Sequence, residues 1–98
     1  MGIRENRVEK YLDEQVVAIG GITRKWVSPG RDGVPDRICI VKGHFYLVEV
    51  KTVDGHLSPP QLREHKRLRE AGAEVLTVYG AQDVNMFIQA VKAVHGGL

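Results

Sequence analysis

Apolar residues recur at helical spacing over Glu5–Ile19, where Val8, Leu12, Val16 and Ile19 share one face. Gly20-Gly21 then stops the helix. The period shortens to two in "ITRKWVS", which predicts a strand over Ile22–Ser28. "PGRDGVP", from Pro29 to Pro35, is a loop by composition. Arg37–Val41 and Phe45–Val50 are two runs rich in β-formers, joined tightly through Lys42-Gly43-His44, and together they predict a hairpin. Ser58-Pro59-Pro60-Gln61 carries a helix start, with Ser at N-cap, Pro at N1 and Gln at N3; that helix runs to about Ala71. Glu74–Tyr79 reads as a strand. Asp83 to about Val94 reads as a last helix with Val84, Phe87, Ile88 and Val91 on one face.

The order is α-β-β-β-α-β-α. Three antiparallel-linked strands and a helical crossover to a fourth predict an α/β (α+β) fold, with a mixed four-stranded sheet flanked by helices on both faces. A chain of 98 residues suits one domain over 1–98. It contains no repeats and no low-complexity segment.

Composition changes this picture little. The formal net charge of +2 points only weakly to a polyanionic partner and fits ordinary solubility as well. The single Cys39 excludes an intrachain disulfide and a zinc cluster of cysteines; inside "RICIV" it reads as a buried small apolar residue. The start "MGIRENRVEK" is charged and has no signal-peptide core, and no apolar run is long enough to span a bilayer. The expectation is a soluble, cytoplasmic protein with no membrane partner and no organic cofactor.

The hairpin carries the chemistry. With a two-residue turn at Lys42-Gly43, Val41 faces His44 and Asp36 falls opposite Glu49. Facing side chains on one sheet face have Cβ atoms roughly 4.5–5.5 Å apart, so the two carboxylates repel unless a counter-charge intervenes. Glu49 is also the lone acid in the apolar run Phe45–Val50, where an unpaired charge is expensive. A divalent cation would resolve both costs, and an all-oxygen ligand pair suits Mg²⁺ or Mn²⁺. Lys51 shares the face of Glu49 by the strand period. A salt-bridged strand end, Glu49 with Lys51 or Arg37, accounts for "EVK" taken alone. Loop, Asp36, strand, tight turn, strand and Glu49-Val50-Lys51 together form a far more specific pattern.

"PD" followed by "EVK" in this element order resembles the PD-(D/E)XK nuclease superfamily. The fragments "VEKYL", "KWVSPGRDGVPDR", "LVEVKT" and "LSPPQ", over roughly Glu5 to Phe87, resemble its VRR-NUC family, the virus-type replication-repair nuclease domain, in the stand-alone form found in phages. The resemblance implies a restriction-endonuclease-like core and a Mg²⁺- or Mn²⁺-dependent endodeoxyribonuclease. It implies Asp36, Glu49 and the main-chain carbonyl of Val50 as metal ligands, Lys51 as the catalytic lysine, and Gln61 as a site glutamine. Gln61 is equally the capping partner of Ser58. A first-helix glutamate is also implied: Glu9 is the choice and Glu5 the runner-up, with Glu14 fitting less well.

Lys25 matches a basic position expected to contact phosphate. Arg24, Arg31 and Arg37 flank the loop as a basic rim for DNA. Arg63, Lys66, Arg67 and Arg69 are spread around the second helix; Arg63 and Lys66 or Arg67 could share a face toward DNA, but a solvated helix face is the preferred reading. His44, His56, His65 and His95 show no metal-ligand spacing, although His56 borders the site. The implied activity is structure-specific cutting of branched DNA such as Holliday junctions by a homodimer, in DNA repair. The competing readings are a non-catalytic nucleic-acid-binding module that keeps the fold, and a small metal-binding protein unrelated to nucleic acid.

Overall fold

The computed structural model describes residues 3–96, with side chains from Glu5 onward. The elements are α1 (Ile3–Ala18), β1 (Ile22–Lys25), β2 (Arg37–Val41), β3 (His44–Lys51), α2 (Pro59–Glu70), β4 (Val75–Tyr79) and α3 (Gly80–Val94). The four strands form one sheet in the order β1-β2-β3-β4. The first three strands are antiparallel, and α2 carries the chain across to β4, which runs parallel to β3. The mixed sheet expected from the element order is therefore present.

The hairpin has the expected two-residue turn. Val41 pairs with His44 and Arg37 with Val48. Lys42 and Gly43 both take positive φ, at 51° and 79°, the combination that matches a hairpin's right-handed twist.

Strand alternation separates two faces. Cys39, Val41, Tyr46, Val48, Val50 and Val78 point to one side, where they bury Leu12 and Val16 of α1 and Val84, Phe87, Ile88 and Val91 of α3. The other side carries Leu47, Glu49 and Lys51, and α2 covers its Lys51 end through Gln61 and His65. Phe45, at the opposite end of that face, stays 59% exposed.

Two boundaries differ from expectation by three residues, and the others by two at most. β1 ends at Lys25, three residues short of Ser28. Trp26 N–H still donates to the Asp36 carbonyl at 3.0 Å, but β2 offers no partner beyond that point and the chain leaves the sheet toward Pro29. α3 begins at Gly80, not Asp83. The Asp83 carboxylate instead reaches back to accept from Tyr79 N–H at 2.9 Å, so the acid sits inside the first turn rather than before it.

Candidate active site

Asp36 lies one residue before β2 and continues its register, directly opposite Glu49. Its backbone and side chain are held from two sides. The Asp36 carbonyl accepts from Trp26 N–H, and its Oδ2 accepts from Val50 N–H at 2.8 Å. The preceding loop is locked as well. Gly33 has φ +87°, and a Cβ there would stand 2.4 Å from the Pro60 carbonyl oxygen. Only glycine permits both that conformation and that approach, so the loop ending at Asp36 is pinned to the first turn of α2.

Glu49 is 2% exposed. Its carboxyl pKa is pushed up to about 9, first by burial, then by the Asp36 charge and by a hydrogen bond between the two carboxyls. Lys51 opposes this shift and Glu5 adds to it. Gln61 holds one Glu49 oxygen, its Nε2 donating to Oε2 at 3.0 Å. The same side chain completes the capping box, its Oε1 accepting from Ser58 N–H at 2.8 Å. One amide thus both caps α2 and holds Glu49, which fixes the amide's orientation.

His65 is the residue that sequence reasoning missed. It is fully buried, and its Nε2 stands 3.4 Å from Glu49 Oε1. Neither ring nitrogen nor Oε1 completes an aligned hydrogen bond. Burial first, then the Arg69 charge, lowers the His65 pKa, against the opposing pull of the Gly33 backbone, Asp36 and Glu64. The available signal was spacing: Gln61 and His65 lie at i and i+4, so one face of α2 presents both to Glu49.

The structure places Glu9, the first-helix acid chosen on sequence, away from Glu49. Glu9 is buried on the other face of the sheet, where its Oε2 pairs with Arg37 at 3.3 Å. Arg37 also binds Asp13 at 3.1 Å and donates to the Thr23 hydroxyl. Glu5, one turn earlier, is the acid whose charge reaches Glu49. The N-terminal part of α1, at Arg7 and Val8, lines one cavity with Thr52 and Val53, the residues that follow β3. Glu14 is exposed.

The basic rim is thinner than expected. Arg37 is spent on Glu9 and Asp13, with its side chain only 14% exposed. Lys25 pairs with Arg37 and shares its face, away from Glu49. Arg24 lies on the Glu49 face by alternation, and Arg31 is exposed in the loop. His56 is exposed just before α2.

Among the described residues, no three His, Cys, Asp or Glu side chains gather as a metal-ligand cluster. A Mg²⁺ site needs no such cluster, because this ion is commonly held by one or two carboxylates with water completing its shell. Asp36 and Glu49 fit that requirement. They are oxygen donors in facing positions, and Glu49 Oε1 is a buried oxygen without a hydrogen-bond donor. No described helix is long and apolar enough to cross a membrane.

No protein-family model matches the chain. It is 46% identical over 91 residues to "Putative nuclease p44" of Acyrthosiphon pisum secondary endosymbiont phage 1, covering 92% of this chain and 97% of that protein. A solved structure described as "VRR_NUC domain" superposes with a TM-score of 0.84 at 40% identity, over 90% of this chain and 97% of the other. A second, described as "VRR_NUC domain protein", has a TM-score of 0.72 at 16% identity, over 96% and 92%, and speaks to the fold alone. With 46% identity to the phage protein and 40% to the first solved structure, each over nine-tenths or more of this chain, the chain belongs to the VRR-NUC nuclease family.

Proposed function

We propose that the chain is a divalent-metal-dependent endonuclease that hydrolyses phosphodiester bonds in DNA, with branched DNA such as a Holliday junction as its substrate. The observation that carries this reading is Glu49. A buried carboxyl opposite a second carboxyl, pushed toward its protonated form, is a costly arrangement that a cation relieves. Asp36 and Glu49 would hold Mg²⁺ or Mn²⁺. In a strand a residue's N–H and C=O face the same neighbour, so the Val50 carbonyl shares the side on which Val50 N–H meets Asp36 and would be a third ligand. The ion, when bound, supplies charge neutralisation at the phosphoryl oxygens and an acidified water.

The remaining steps belong to the chain. Lys51 emerges on the face of Glu49, two residues on. Its ammonium orients the attacking water and offsets charge on the phosphoryl group as the 3′-oxygen is displaced, leaving a 5′-phosphate. Gln61 and His65 keep the Glu49 carboxylate in one rotamer. Glu5, in place of Glu9, is the first-helix acid that faces this centre. Arg24 and Arg31 are the rim cations whose side chains stay exposed and can meet the DNA backbone.

A homodimer would set two such sites against the two strands of a junction. β1 is an open sheet edge, and Ile22 and Val27 expose 47% and 69% of their surface on and just beyond it, which suits a second copy. The test is cleavage. Purified protein with Mg²⁺ or Mn²⁺ is given labelled duplex, flap and four-way-junction DNA, beside Asp36→Asn. Junction cutting that the variant and EDTA both abolish supports the reading. Equal cutting by the variant overturns the site, and DNA binding with no cutting of any substrate favours a non-catalytic binding module.

A further inference from the structure

A second cluster lies beside the catalytic pair, and of its members only Arg31 enters the reading above, as a rim cation. Glu64, on the turn of α2 between Gln61 and His65, is 7% exposed. Its Oε1 accepts from Arg67 Nε at 3.1 Å, Arg67 Nη2 lies 3.0 Å from it as an ion pair, and Arg31 Nη1 approaches the same oxygen at 4.0 Å. A solvated helix face would not bury its acid. Here a buried carboxylate ties one arginine of the loop to one of the helix.

These guanidiniums line a cavity of about 200 Å³ together with Gly30, Asp32, Pro60 and Arg63. The tethered arginines remain half-open, with side chains 57% and 53% exposed, so both keep donors to spare. Arg63 is exposed and faces the same space. Arg69, by contrast, is turned to the Val75 carbonyl. Three guanidiniums meet two carboxylates, Glu64 and Asp32, and the excess is positive. The place is also fixed relative to the site: Pro60 of the cavity wall is the residue that Gly33 abuts, and Gln61 after it binds Glu49.

We infer that the cavity bounded by Arg31, Arg63 and Arg67 is a phosphate subsite, which holds one backbone phosphodiester of the DNA strand flanking the bond to be cut. The inference rests on the nuclease reading and adds to it. Glu64 orients the arginines in advance, so that their ordering is not left to the moment of binding. Guanidinium forks match phosphate oxygens in geometry as well as charge.

The experiment is DNA binding by the intact chain in EDTA, followed by fluorescence anisotropy across a KCl series. Arg63→Ala and Arg31→Ala are compared with Lys42→Ala, which removes a cation at the far end of the hairpin. Each phosphate contact contributes about 0.9 to the slope of log affinity against log salt. Arg63→Ala is expected to lower that slope by about one and to weaken binding, with Arg31→Ala doing the same and Lys42→Ala keeping the parent's values. A parent that binds while Arg63→Ala and Arg31→Ala match it in slope and affinity overturns the subsite and leaves the nuclease reading standing. A parent that binds no DNA overturns both.

Discussion

Replacing Glu49 with Gln should stabilise the metal-free protein above mildly acidic pH. The folded-state pKa of Glu49 is about 9, against 4.5 for an unperturbed carboxyl. A group whose pKa is raised on folding contributes fully below its unfolded value and loses that contribution as pH rises through the folded value. Between pH 4.5 and about 9, each unit therefore costs the native state about 1.4 kcal/mol. By pH 7.5 the loss is about 4 kcal/mol, a large share of the 5–15 kcal/mol typical of a folded domain. Gln mimics the protonated acid: its oxygen can accept from Gln61, and its amide can donate to Asp36.

The assay is urea unfolding in EDTA across pH 4–9 for parent and Glu49→Gln. The other carboxyls titrate in both proteins, so the difference reports Glu49 together with the Asp36 carboxyl coupled to it. The two should be equally stable near pH 4 and diverge steadily, with the variant ahead by several kcal/mol at pH 7.5. Adding Mn²⁺ should raise the parent and leave the variant unmoved. A stability difference that stays flat from pH 4 to pH 9 would refute the reasoning.

Three further outcomes follow from the same geometry. Gly33→Ala should destabilise the fold by about 1–3 kcal/mol and slow cleavage, because positive φ and the Pro60 backbone both oppose a Cβ there; unfolding and single-turnover rates check it. His65→Leu should weaken Mn²⁺ binding by about 10- to 100-fold while the helix remains folded, with His65→Gln recovering part of the loss; calorimetry reads the affinity and circular dichroism the fold. Glu5→Gln should lower the cleavage rate with little change in melting temperature. Glu9→Gln should do the reverse, because it strips a partner from half-buried Arg37.

The sequence carried the hairpin most clearly. A two-residue turn admits one register, and that register places Asp36 opposite Glu49. Parity could also have removed Arg37 from the DNA rim, since it precedes Ile38 and follows Asp36 and must face away from both. Glu5 and Glu9 were not separable in the same way. They lie one turn apart on a single stripe, and which turn reaches the end of β3 depends on how α1 lies across the sheet, which helical periodicity does not encode. β1 fell short because β-rich composition continues past the point where β2 stops offering partners. His65 stayed hidden in a polar helix because no apolar pattern marks its face, although its spacing from Gln61 does.

Metal binding by the paired carboxylates is the central claim, and isothermal titration of the purified chain with Mn²⁺ tests it most directly. The parent should bind one ion per chain at the carboxylate pair, with affinity rising between pH 6 and pH 8 as the Glu49 proton becomes easier to displace. Asp36→Asn should bind none at the same concentration. Undiminished binding by Asp36→Asn, or no binding by the parent at pH 8, would contradict it.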